Sequence, residues 1–95
     1  MTAPVQLLDV ILRDGLQITG KLLDTDTKVG LARVLLDLGI DALEIGAMAR
    51  PDLVPPMANT IEVLEALTPE ELQRCWVWTA TPRGVIPAIR AGGVT

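Results

Sequence analysis

Short apolar runs return about every thirty-five residues along this chain, and the intervals between them carry helical patterning. The runs are residues 5–12 (VQLLDVIL), 42–45 (ALEI) and 75–80 (CWVWTA), each of strand length. The first stops at Arg13-Asp14-Gly15 and the second at Gly46. Near-continuous apolar strands alternating with helices predict an α/β fold with a parallel sheet covered by helices. Three β-α units fit a small doubly wound domain or part of an eight-stranded barrel, and the period alone leaves both open.

The intervals predict helices of unequal clarity. Over residues 26–38, Val29, Ala32, Leu35, Leu36 and Leu38 mark one face, with Lys28, Arg33 and Asp37 on the other. Asp24 or Thr25 caps its start, and Gly39 suits the position after its end. Residues 16–24 contain Gly20 and no period, which predicts a loop. Pro51, Pro55 and Pro56 forbid regular structure over residues 50–57. Asn59 with Glu62 forms a capping-box-like start for a helix through Leu67, and Thr68-Pro69-Glu70-Glu71 restarts one. A last helix opens at Thr81-Pro82 and ends at Gly92-Gly93, with Pro87 inside it at a cost of up to ~3 kcal/mol.

Composition bounds the function classes. With 49% hydrophobic residues and a mean hydropathy of +0.41 on 95 residues, the chain calls for a large core. A chain this short buries only roughly 60–65% of its unfolded surface, so some apolar faces need cover from outside it. The net charge of −4, spread along the sequence, argues against nucleic acid or an anionic membrane as partner. No apolar stretch approaches the ~20 residues that span a bilayer, and the first residues lack the pattern of a signal peptide. The single cysteine, Cys75, excludes an internal disulfide framework, and the cytoplasm is the expected compartment. Histidine is absent, so chemistry must rest on carboxylates, arginines, amides and hydroxyls or be borrowed.

In parallel α/β folds, ligands bind beyond the carboxyl ends of the strands. Those ends carry Arg13, Asp14 and Gln17 after the first strand, Glu44 in the second, and Thr79 and Thr81 after the third. Arg13 and Glu44 read equally well as a structural ion pair between neighbouring strands, and Asp14-Gly15 as a turn. Glu44 lies within an apolar run and needs a cation nearby, for which Arg13 is the best candidate. Cys75 starts its strand at the far end and reads as core. Trp76 and Trp78 share one strand face and read as packing. Gly92-Gly93 follows a helix and is a weak phosphate-loop signal.

The run Ile11-Leu12-Arg13-Asp14-Gly15-Leu16-Gln17 resembles the RDGLQ signature that closes the first strand of hydroxymethylglutaryl-CoA lyases. Leu43-Glu44 is similar to their second-strand glutamate, and residues 50–57 with Glu62-Val63-Leu64 are similar to the segment that follows it. RDGLQ by itself is shared in variant form by isopropylmalate and homocitrate synthases; the glutamate and the VPxM loop sharpen the match. The resemblance spans residues 5–92 and implies a partial (β/α)8 TIM barrel: its first three βα units over residues 5–95, after a tail of residues 1–4. It implies a divalent-metal-dependent carbon–carbon lyase cleaving a 3-hydroxyacyl-CoA to acetyl-CoA and a keto acid.

By the same resemblance, Asp14 is a ligand to Mg²⁺ or Mn²⁺ and Arg13 stabilises the enolate oxyanion. Glu44 holds Arg13 and the metal-bound water network, and Gln17 lines the substrate pocket. The family's HxH pair, its Asn ligand and its catalytic cysteine have no counterpart here, and Cys75 does not correspond to that cysteine. Ala47-Met48 stands where Ser-Phe is usual, and Pro56 where Gln is. The expected partners are therefore a small acyl-CoA or hydroxy acid, with a complementing chain or a second copy to finish the barrel. The alternatives are a non-catalytic, partner-dependent β/α module and a portion of a related synthase or aldolase.

Overall fold

The computed structural model describes residues 6–50 and 52–79. The sequence expectations at Val5, Ala80, Thr81 and the helix through Pro87 lie outside those residues, as does Pro51.

Asp9 decides where the first strand ends. Its Oδ1 accepts the Ile11 N–H at 2.9 Å, an Asx turn that draws the backbone out of the sheet. Strand β1 is thus only Leu8–Asp9. The expected strand to Leu12 is replaced from Ile11 to Gly15 by a wide π-helical turn, in which Val10 O accepts both Arg13 N and Gly15 N at 3.2 Å. The predicted loop is also corrected: Leu16–Thr19 forms a helical turn, α1. It ends at Gly20, whose φ of 71° suits glycine.

Helix α2 (Thr25–Asp37) starts where its cap predicts, with Asp24 Oδ1 accepting the Thr27 N–H at 2.7 Å. Its buried face is Val29, Ala32 and Leu36, while Leu38 is exposed, against expectation. Lys28 is the larger correction. Expected on the solvent side, it is 1% exposed and faces the later Pro-rich turn. Past the helix end, Gly39 takes φ 90°. The Arg74 guanidinium donates to Leu36 O at 3.0 Å and to Ile40 O, tying the residue before β3 to the end of α2 and the turn after it.

Strand β2 (Ala42–Met48) runs through Gly46 instead of stopping there. Gly46 sits at a register irregularity where the chain of Thr60 passes so close that a Cβ would meet Thr60 Oγ1 at 2.5 Å. The sequence signal for a strand end was in fact one for close approach. Pro55–Met57 forms a 3₁₀ turn closed by Met57 N to Val54 O at 3.0 Å, so the prolines shape a turn there rather than forbid one. Helix α3 (Thr60–Ala66) begins after Asn59, but without a capping box, because the Asn59 side chain is engaged elsewhere. In α4 (Pro69–Leu72) the predicted box is complete: Thr68 Oγ1 accepts Glu71 N–H at 3.2 Å and Glu71 Oε1 accepts Thr68 N–H at 2.9 Å. Strand β3 is Cys75–Thr79.

The three strands are parallel in the order β1-β2-β3. Leu43, Cys75 and Val77 turn toward the helices and join Leu12, Ala32, Leu36, Val63 and Leu64 in one core. On the opposite face, register places Glu44 beside Trp76 and Ala47 beside Trp78. Leu8, Trp76 and Trp78 are 51%, 47% and 44% exposed there. The tryptophans do share a face, but it is an open one rather than packed core. Among the described residues no helix is long and apolar enough to cross a membrane.

Candidate functional site

The turn that truncates β1 also aims its side chains. A π-helical turn widens the backbone ring by a residue, and such turns recur at functional sites. Arg13 lies within it and reaches β2, where Glu44 is third of seven strand residues. Arg13 Nε donates to Glu44 Oε1 at 3.0 Å, and Nη2 lies 3.0 Å from the same oxygen. Arg13 Nη1 donates to Gln17 Oε1 at 3.3 Å, one helical turn on. The guanidinium also stands over the Trp78 ring, 5.9 Å from its centroid, within cation–π range. The side chains of Arg13 and Glu44 are 21% and 13% exposed, so water screens the pair only partly.

Arg13, Glu44 and Gln17 are therefore brought together as the sequence placed them. Asp14 is at the edge of the cluster. Its Oδ1 is 3.5 Å from Arg13 Nη1, a long ion-pair distance, and its side chain is 47% exposed. A carboxylate so loosely held fits one position of a hard divalent cation, which takes about six oxygen donors. Among the described residues no group of three or more His, Cys, Asp or Glu is placed to hold a metal. Among the described residues, such a centre would find one loosely held carboxylate here, with Glu44 beside it but committed to Arg13.

Two features escaped the sequence reading. Trp78 is a wall of the site, which no spacing could reveal before the register of β2 against β3 was known. A cleft of about 400 Å³ adjoins the cluster, sharing Gln17 and Trp78 with it. Its remaining lining is Met48, Ala49 and Arg50 from the end of β2, with Leu53 and Val54 from the turn beyond. A shallower cavity of about 360 Å³ lies on the open sheet face around Leu8, Glu44 and Trp76, and Thr79 reaches it from the end of β3. Cys75 is distant in role: burial, and then the Glu71 charge, push its thiol up to about 11, so it is an inert core group.

A family comparison gives this geometry its relatives. The HMGL-like family pattern matches residues 4–93, nearly the whole chain. The chain belongs to the HMGL-like family. As a member, it is 31% identical over 88 residues to the mitochondrial hydroxymethylglutaryl-CoA lyase of Arabidopsis thaliana, covering 93% of this chain and 19% of that protein. It is 34% identical over 98 residues to the (R)-citramalyl-CoA lyase of Chloroflexus aurantiacus, covering 93% and 31%.

Among solved structures, an HMG-CoA lyase from Acinetobacter baumannii, in complex with coenzyme A and 3-methylmalate, superposes with a TM-score of 0.85 at 26% identity. It covers 98% of this chain and 32% of that one. The HMG-CoA lyase from Brucella melitensis gives 0.84 at 27%, covering 94% and 31%. The HMGL-like chain thus spans about a fifth to a third of its relatives' length. Its three parallel strands match the corresponding part of these TIM-barrel-type lyases, which decides between the two architectures that the strand period left open.

Proposed function

We propose that this chain supplies one part of the active site of a divalent-metal-dependent carbon–carbon lyase. The reaction would be that of a hydroxymethylglutaryl-CoA lyase, cleaving a 3-hydroxyacyl-CoA to acetyl-CoA and a keto acid. The observation that carries this reading is the guanidinium of Arg13, fixed by Glu44 from one side and Gln17 from another. Breaking the Cα–Cβ bond of a 3-hydroxyacyl thioester, as the 3-hydroxyl gives up its proton and becomes a carbonyl, leaves the bond's electron pair on Cα as an enolate. A cation already held in place stabilises that charge without reorganising, worth several kcal/mol in the transition state.

Within this reading, Arg13 faces the developing oxyanion and Glu44 holds its orientation. Gln17 joins Arg13 to the neighbouring cleft, and Trp78 shields the guanidinium from water. Asp14 would hold Mg²⁺ or Mn²⁺ together with donors from βα units outside the described residues. When bound, the ion would polarise the substrate's hydroxyl and carbonyl oxygens. The buried free thiol of Cys75 suits a reducing compartment such as the cytoplasm.

The test is a graft, in which this chain replaces the matching third of the Brucella melitensis lyase. The graft is expected to release acetyl-CoA from a 3-hydroxyacyl-CoA only with Mg²⁺ or Mn²⁺ present. A folded, metal-loaded graft with no turnover above background would contradict the reading. The open sheet face with Leu8, Trp76 and Trp78 favours a second reading, a β/α module whose purpose is association. Light scattering on the isolated chain separates them, since a soluble monomer counts against that module.

A further inference from the structure

We propose that Thr60 is a positioning residue for Arg13. By clamping the irregular step in β2, it sets the spacing between the two walls of the guanidinium, the Glu44 carboxylate and the Trp78 ring. The consequence for catalysis rests on the lyase reading above, whereas the positioning stands on the sheet geometry. From Glu44 to Gly46, β2 advances two residues while β3 advances one, from Trp76 to Val77. Glu44 precedes this step, and Trp78 pairs with Ala47, which follows it. An even ladder would set Gly46 opposite Trp78 instead. An extra residue bends its strand and increases the local twist, and such bulges re-aim side chains beside active sites. Arg13 touches a wall on each side of the step, Glu44 Oε1 at 3.0 Å and the Trp78 ring centroid at 5.9 Å. The shape of the step therefore decides whether one guanidinium can reach both.

Thr60 grips the residue just past the step. Its side chain is buried, and Oγ1 accepts the Ala47 N–H at 3.3 Å. Its one proton is shared between Ala47 O at 3.1 Å and Met57 O at 2.8 Å. Gly46 leaves the room for this grip, since a Cβ there would meet Thr60 Oγ1 at 2.5 Å. The clamp is itself anchored. Thr60 opens α3, whose Val63 and Leu64 are fully buried, and Asn59 before it accepts from Lys28 Nζ at 2.6 Å. Among the described residues Thr60 shares no hydrogen bond with Arg13 or Glu44, so its influence passes through the β2 backbone.

The test is NMR of the full chain, read at the Arg13 side chain. Its Nε–H is expected to exchange with water at least roughly tenfold more slowly than that of a free arginine, because Glu44 holds the proton. The Trp78 ring is expected to move the Arg13 δ protons upfield. Thr60→Val keeps the shape of the side chain and loses the hydroxyl, and is expected to return both signals most of the way to free values. Gly46→Ala reaches the clamp from the other side, displacing the hydroxyl without removing it, and is expected to do the same. Thr60→Ser is expected to keep both signals. Thr68→Val, which breaks the α4 capping box and lowers stability without touching the step, is expected to keep them too.

Whichever of Thr60→Val and Gly46→Ala keeps the α2 amides dispersed carries the reading. Unfolding of both would make Thr60 a plain structural residue and overturn the proposal. So would signals that persist in the folded variant, that fade equally in Thr68→Val, that Thr60→Ser fails to keep, or that the unaltered chain lacks. Kinetics of the grafted barrel separate this inference from the one beneath it. There Thr60→Val is expected to lower kcat about tenfold with KM nearly unchanged, because Arg13 faces a charge that only the transition state carries. Lost signals with kcat unchanged remove Arg13 from the lyase reading and leave the positioning. Unchanged signals in an active graft remove the positioning and leave the lyase.

Discussion

Gly46 is where the backbone of β2 meets the Thr60 side chain at the start of α3. In the sequence it marked the end of a strand. In the structure it allows α3 to dock, since Thr60 Oγ1 hydrogen-bonds to Ala47 O at 3.1 Å and accepts Ala47 N–H at 3.3 Å. A methyl group at Gly46 would lie 2.5 Å from Thr60 Oγ1 and 2.8 Å from its Cγ2. Gly46→Ala is therefore expected to lower stability by about 1–3 kcal/mol, the range for overpacking. Urea unfolding checks this, and an unchanged midpoint would contradict it. The site residues themselves were legible. Arg13, Glu44 and Gln17 could be placed together from strand ends and residue chemistry, because a carboxylate inside an apolar run demands a cation. Trp78 could not, since its neighbours depend on register.

At the scale of elements, the Asp24 cap of α2 and the capping box of α4 formed as their local signals read. Thr68 and Glu71 sit three apart with Pro69 between them, and the capping box needs nothing beyond those residues. Asn59 and Glu62 carry a similar signal, yet the box is absent because a tertiary demand is stronger. Asn59 Oδ1 accepts from Lys28, while its Nδ2 donates to Leu23 O at 3.2 Å and Thr25 Oγ1 at 3.3 Å. This polar knot ties the start of α2 to the Pro-rich turn and the start of α3. Lys28 appeared to belong on a polar helix face because periodicity cannot foresee a buried oxygen cage.

Burial holds the Lys28 ammonium below the ordinary lysine value of 10.5. The unfolded chain then binds the proton more tightly, so stability contributed by this group rises with pH from the folded value up to about 10.5. Cys75 acts in the opposite sense above pH 9, since its folded thiol titrates near 11. Comparing the protein with Lys28→Met cancels the cysteine. Denaturant midpoints at pH 7 and pH 10 are expected to show the unaltered protein gaining on the variant at the higher pH. A constant difference would contradict the burial account.

For the whole molecule, the sequence indicated three β-α units and an apolar surplus, and the sheet shows where the surplus goes. One face packs on helices; the other leaves Leu8, Trp76 and Trp78 open. The period could not distinguish a doubly wound domain from part of a barrel, because both repeat the same local unit. Superposition on lyases about three times as long resolves it. The described residues offer a metal one exposed carboxylate at this site, against about six oxygen donors wanted by Mn²⁺ or Mg²⁺. Calorimetric titration of the isolated chain with Mn²⁺ is expected to show no saturable binding tighter than roughly millimolar. Tight one-to-one binding by a monomer would contradict the partial-site account.

The account turns on Arg13 as a fixed cation facing the enolate, and kcat/KM of the grafted barrel with Arg13→Ala measures that most directly. A loss of a hundredfold or more, about 2.7 kcal/mol or above, is predicted with folding and metal content retained. A loss below tenfold, about 1.4 kcal/mol, would mean that the Arg13–Glu44 pair is only structural and would contradict the account.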